Sequence, residues 1–135
     1  LIINNPGGDE IEGLAIYDAI KACKNHVTAT VYGKCYSMAG YILQAADERI
    51  MTPNSSFMLH EGTRGIGPDH PRIVKNWNKW YDYLDQCLLD VYLTKIRQKH
   101  PEFSKKKLEE MLKFDTILTA QDAVQLGLAD TVMEY

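Results

Sequence analysis

An α/β fold is predicted by three features of this 135-residue chain. Short strand-like runs at 1–4, 27–32 and 56–59 alternate with longer runs that space apolar residues as helices do. Pro6-Gly7-Gly8 and Pro53-Asn54 punctuate the joins. Strands and helices that alternate along a chain, rather than grouping by type, build layered α/β domains.

Residues 1–4 read as the end of a buried strand. Residues 11–23 read as a helix with Ile16, Ile20 and Cys23 on one stripe, and Asp9 and Glu10 put negative charge at its start. Residues 27–32 alternate apolar and polar side chains, as a half-buried strand does. Residues 38–46, apolar and rich in alanine, read as a buried helix. A short strand at 49–51 is stopped by Pro53-Asn54, and another follows at 56–59. Gly62, Gly65, Gly67, Pro68 and Pro71 make 61–71 a loop or irregular strand.

A long helix is expected over 72–99. Ile73, Trp77, Trp80, Leu84, Leu88, Val91 and Ile96 lie near one face, and Tyr81, Tyr83 and Tyr92 widen it. Such a helix exceeds what a small domain covers by itself. It either packs across the sheet or contacts another subunit, as exposed aromatic surface does. Pro101 ends it. Ser104 caps a helix running to Leu112, whose Lys105, Lys106 and Lys107 form a solvated face. Thr119 and Asp122 have capping-box spacing, Gly127 stops the helix between, and 131–134 is a last strand. No internal repeat or low-complexity segment interrupts this order.

With 45% hydrophobic and 24% charged residues, the composition suits one globular domain, 1–135, with a single core. A formal charge of −3 gives no attraction to nucleic acid or an anionic membrane. No run is apolar enough to span a bilayer. The chain opens without methionine inside a strand, so an N-terminal part is expected to be missing. Cys23, Cys35 and Cys87 are odd in number and lack metal-ligand spacing, which fits free thiols in a reducing, cytoplasmic setting. Neither metal nor cofactor is expected, and His26, His70 and His100 read as surface or structural residues.

Ser37 sits between a strand-like and a helix-like run, where backbone N–H groups point outward unpaired. A hydroxyl beside such amides meets two needs of acyl transfer, a nucleophile and an oxyanion site; it also suits a plain N-cap. Pro6-Gly7-Gly8 offers a flexible turn with a second amide, or an ordinary strand-to-helix turn. His60 ends a strand and is a candidate general base or a structural histidine. Asp115 lies in an apolar neighbourhood, and a buried carboxylate needs a partner such as an imidazole N–H. Cys35 reads as a packing residue.

These segments together resemble the proteolytic subunit of the Clp protease. The resemblance rests on Asn5-Pro6-Gly7-Gly8 with Gly13 to Asp18, on Gly33 with Ser37-Met38-Ala39-Gly40, and on Pro53-Asn54-Ser55 with Met58-Leu59-His60. It continues in Asp115 with Leu118-Thr119-Ala120, Ala123 and Gly127-Leu128-Ala129-Asp130. Residues 62–112 match in pattern only. The resemblance implies a crotonase-like α/β fold with a protruding handle helix. It implies a serine endopeptidase acting on unfolded proteins or peptides in a homo-oligomeric chamber of stacked rings, served by an ATP-dependent unfoldase. Carried over, Ser37 is the nucleophile, His60 the base and Asp115 its orienting acid, and the Gly7 and Met38 amides form the oxyanion hole.

Four positions, at three places, depart from the family's pattern. Tyr36 stands where a small residue usually precedes the serine, and is set to reshape the cleft. Phe114 stands where an arginine usually leads into the acid, and Glu61-Gly62 replaces Gln-Pro after the histidine. These mark a divergent member and leave two alternatives: a ring subunit with a dead site, or an acyl-CoA enzyme of the crotonase superfamily. A serine–lysine pairing with Lys34 is disfavoured, since strand geometry puts it on the face opposite Ser37.

Overall fold

The computed structural model describes residues 1–135. In order come β1 (Ile2–Asn5), α1 (Glu10–Ala22), β2 (Thr28–Tyr36), α2 (Met38–Leu43), β3 (Glu48–Met51) and β4 (Ser56–Leu59). They are followed by α3 (Pro71–Lys99), α4 (Lys105–Leu112), β5 (Thr116–Thr119), α5 (Ala120–Leu126) and β6 (Thr131–Val132). The strands form one sheet in the order β5-β4-β2-β3-β6, with β1 also against β2. Every pair is parallel except β4–β5. β2 is the hub: Thr28 to Val31 pair with β3, and Lys34 to Tyr36 pair with β4. Its extra length relative to the alternating 27–32 run comes from that second pairing, which local patterning cannot reveal.

Local chemistry sets the helix ends. Asp9 accepts the Glu12 N–H at the start of α1, His70 Nδ1 accepts the Arg72 N–H at α3, and Ser104 accepts the Lys107 N–H at α4. Thr119 and Asp122 form the expected capping box of α5, which ends at Gly127. Three expectations are corrected. β1 buries only Ile3. α1 turns Gly13, Leu14 and Tyr17 toward the protein and leaves Ile16 and Cys23 exposed. α2 stops at Leu43, where an Ala45 N–H to Ile42 O bond tightens its last turn.

The core is centred on Phe57, Leu43, Met51, Leu59, Ile96 and Leu108, all fully buried. α3 divides in two. Its second half buries Leu84, Leu89, Tyr92, Leu93 and Ile96. Its first half exposes Ile73, Trp77 and Trp80, and Trp77 stacks on Tyr81 while Trp80 stacks on Tyr83. A helix of 29 residues reaches ~44 Å at 1.5 Å per residue, so one end protrudes from the domain.

Candidate active site

The carboxyl ends of β1, β2 and β4 converge, the end of a parallel sheet where ligands bind. The register Tyr36↔Met58 aligns β2 with β4, and the Ser37 N–H donates to Met58 O at 2.9 Å. Ser37 then turns the chain into α2 with φ 55° and ψ −126°. It is the one non-glycine residue with positive φ. Such a backbone is sparsely populated and persists only where neighbours over-determine it. Although Ser37 occupies the N-cap position of α2, its side chain makes no cap bond. Its Oγ lies 2.8 Å from His60 Nε2.

His60 Nδ1 lies 3.0 Å from Asp115 Oδ1. Sheet register explains this meeting of residues distant in sequence. β4 and β5 are antiparallel with Leu59 opposite Thr116, so the next pair outward is His60 and Asp115. With Nδ1–H donated to the carboxylate, Nε2 carries the lone pair that faces the hydroxyl. Contrary to expectation, Asp115 is not buried among apolar neighbours: its side chain is 70% exposed. The β4–β5 ladder puts it beside His60, rather than desolvation.

The Pro-Gly-Gly turn packs directly behind Ser37. Gly7 has φ +95°, and a Cβ there would fall 2.7 Å from Ser37 Cβ and 2.8 Å from Tyr36 O. Only glycine permits this approach. The Gly7 amide, expected as an oxyanion donor, instead donates to Asn5 Oδ1 at 2.7 Å. Gly8 lines the cavity with Ser37 and Met38. Its N–H has no partner within the chain, and Met38 holds the first position of α2, where amides lack intrahelical partners. The signal was present in sequence: an asparagine side chain commonly bonds the backbone two residues on, which ties up Gly7 and releases Gly8.

The cavity has a volume of about 740 Å³. Tyr41, Leu88, Leu89 and Tyr92 make its apolar wall, and Glu10, Arg64 and Asp85 its charged rim. Nothing in sequence singled out Arg64, whose partners lie on α1 and α3. Tyr36 does not reshape this space: its hydroxyl bonds Ser56 Oγ at 2.7 Å, and neither it nor the exposed Phe114 lines the cavity. Cys35 is fully buried, and burial pushes its thiol up, so it is inert beside Ser37. Lys34 is exposed, with its N–H on Asn4 Oδ1, and is not among the lining residues. His70 caps α3, and His100 bonds Gln125 O.

The sequence matches the family described as Clp protease over residues 1–135. It is 31% identical to the ATP-dependent Clp protease proteolytic subunit of Deinococcus radiodurans, over 136 residues that cover 99% of this chain and 64% of that protein. The chain thus spans about two-thirds, 64%, of the length of the relative it matches. The mixed sheet, the layered helices and the protruding α3 agree with the Clp-protease-like, crotonase-like α/β fold. On its sequence match along the whole chain, this protein belongs to the Clp protease family.

Proposed function

We propose that this protein is a serine endopeptidase that cuts unfolded proteins or peptides through an acyl-enzyme. One observation carries the reading. Ser37 Oγ, the His60 ring and the Asp115 carboxylate stand in one hydrogen-bonded line, with links of 2.8 and 3.0 Å, on the wall of a cavity.

His60 Nε2 takes the Ser37 proton as Oγ attacks the substrate carbonyl carbon. Asp115 holds the ring in the required tautomer and stabilises the imidazolium. The developing oxyanion sits between the Gly8 and Met38 amides, Gly8 taking the place first expected for Gly7. His60 then gives its proton to the leaving amine, and water repeats the sequence to free the acid. Losing one oxyanion donor typically slows such a reaction about 10²–10³-fold.

The protein works as a homo-oligomer of stacked rings, with the exposed half of α3 as the ring-to-ring contact. Ile73, Trp77 and Trp80 support this, since exposed aromatic surface of that kind is enriched at interfaces. An ATP-dependent unfoldase is the partner this reading implies, and the Deinococcus relative is named a subunit of an ATP-dependent protease. Three free cysteines fit a reducing cytoplasm.

A fluorophosphonate serine probe tests the chemistry. The full-length protein is expected to take the label at Ser37, and Ser37→Ala to take none. Equal labelling of both would refute the assignment.

A further inference from the structure

We propose that Arg64 latches the 61–70 segment across the mouth of the Ser37 cavity, so that the latch limits how long a polypeptide reaches Ser37. This rests on the peptidase reading.

Arg64 spans the rim. Its Nε and Nη2 donate to Glu10 at 2.8 and 2.6 Å, and its Nη1 and Nη2 donate to Asp85 at 2.9 and 2.6 Å. The guanidinium also lies 4.7 Å over the Tyr81 ring. Glu10 opens α1, while Tyr81 and Asp85 belong to α3, so one side chain ties the loop to both helices flanking the cavity. A guanidinium forked onto two carboxylates forms charge-assisted bonds, stronger and more directional than an ordinary surface pair.

The loop has little else to hold it. Glu61 N–H donates to Leu112 O at 2.8 Å, fixing one end, and His70 caps α3 at the other. Between Gly62 and Asp69 no backbone group bonds another backbone group. Arg64 is the only side chain of this stretch that bonds the rest of the protein. Gly62 takes φ +74° directly after the Glu61 anchor, which makes it a natural hinge. The segment therefore moves as a unit once the Arg64 contacts part. Glu61 to Arg64 of the strap line the cavity of about 740 Å³ that also holds Ser37, so they bound the space a short peptide would enter. A chain extending past Ser37 on both sides needs the strap displaced.

The test uses the full-length protein, its Arg64→Gln variant and a Glu10→Gln/Asp85→Asn variant. Cutting by thermolysin at Gly65–Ile66 is timed, because a protease needs the segment to lift free of the body. The ratio of kcat/KM for a fluorescent unfolded protein to that for a fluorogenic tripeptide is measured alongside. In both variants cutting is expected to speed up about tenfold, and the long-to-short ratio to rise by a similar factor. Unchanged cutting in either variant, or an unmoved ratio, overturns the latch. If the wild-type protein takes no fluorophosphonate probe, the peptidase reading fails instead, and the proteolysis result alone decides whether Arg64 holds the segment.

Discussion

The proposed role of Ser37 rests on its backbone as much as on its hydroxyl. A non-glycine residue at φ 55° and ψ −126° costs about 1–3 kcal/mol. Alanine normally beats glycine for stability, because glycine has more freedom to lose. At position 37 the order is expected to reverse: Ser37→Gly should unfold about 1 kcal/mol less readily than Ser37→Ala in urea, while both lack activity. The usual alanine-over-glycine order would mean the turn is not strained. The hydrogen-bonded side chains of Ser37, His60 and Asp115 were legible as residue types in order, because sheet pairing needs no more than correct strands to join them. Asp115 was legible for a reason that failed, since exposure is invisible to a sequence in which Phe114 and Ile117 look like core yet lie outside it. The Pro-Gly-Gly motif alone does not tell which glycine amide is free; the Asn5 side chain, bonded to the Gly7 N–H, leaves that of Gly8.

At the scale of elements, α3 is the piece whose two halves obey different rules. The half from Leu84 to Ile96 is core. The half bearing Trp77 and Trp80, 45% and 42% exposed, packs mainly on its own aromatic neighbours. Replacing both by glutamate should therefore lower the mass seen by light scattering while leaving the helical circular-dichroism signal in place. Exposed sites typically shift stability by no more than about 0.5 kcal/mol each. A matching loss of helix and of assembly would mean that these residues hold the subunit together instead. The helix itself was readable from its period, as were the capping box and the Gly127 stop. The division into buried and bare halves was not, because a continuous apolar stripe reads the same whether a neighbour covers it or not. The far end of β2 was illegible for a related reason, since Lys34 to Tyr36 are strand through β4, with Cys35 also opposite Asn5 of β1.

For the molecule as a whole, a polar knot around the buried Arg49 joins β3 to the turn before β6. Arg49 Nη1 donates to Gln44 Oε1 and Gly127 O, its Nε donates to Asp130, and the Asp130 N–H returns to Arg49 O. Burial by itself would lift the Asp130 carboxyl, but the hydrogen bonds and charge of Arg49 prevail and hold it below the usual carboxylate range. A carboxyl lowered in the folded state adds stability above its unfolded value of about 3.9, and that share disappears as pH falls through the folded value. Urea midpoints should drop between about pH 5 and about pH 3, and Asp130→Asn should start lower and fall less steeply. Identical slopes for the two proteins would exclude Asp130 as the cause. The rung geometry of β4 and β5 has its own consequence. His60 and Asp115 each stand one residue beyond the outermost ladder of the sheet, whose far strand β5 has no neighbour on its other side. The proposed proton relay therefore depends on that border, and fraying of β5 would silence it while the interior stays intact.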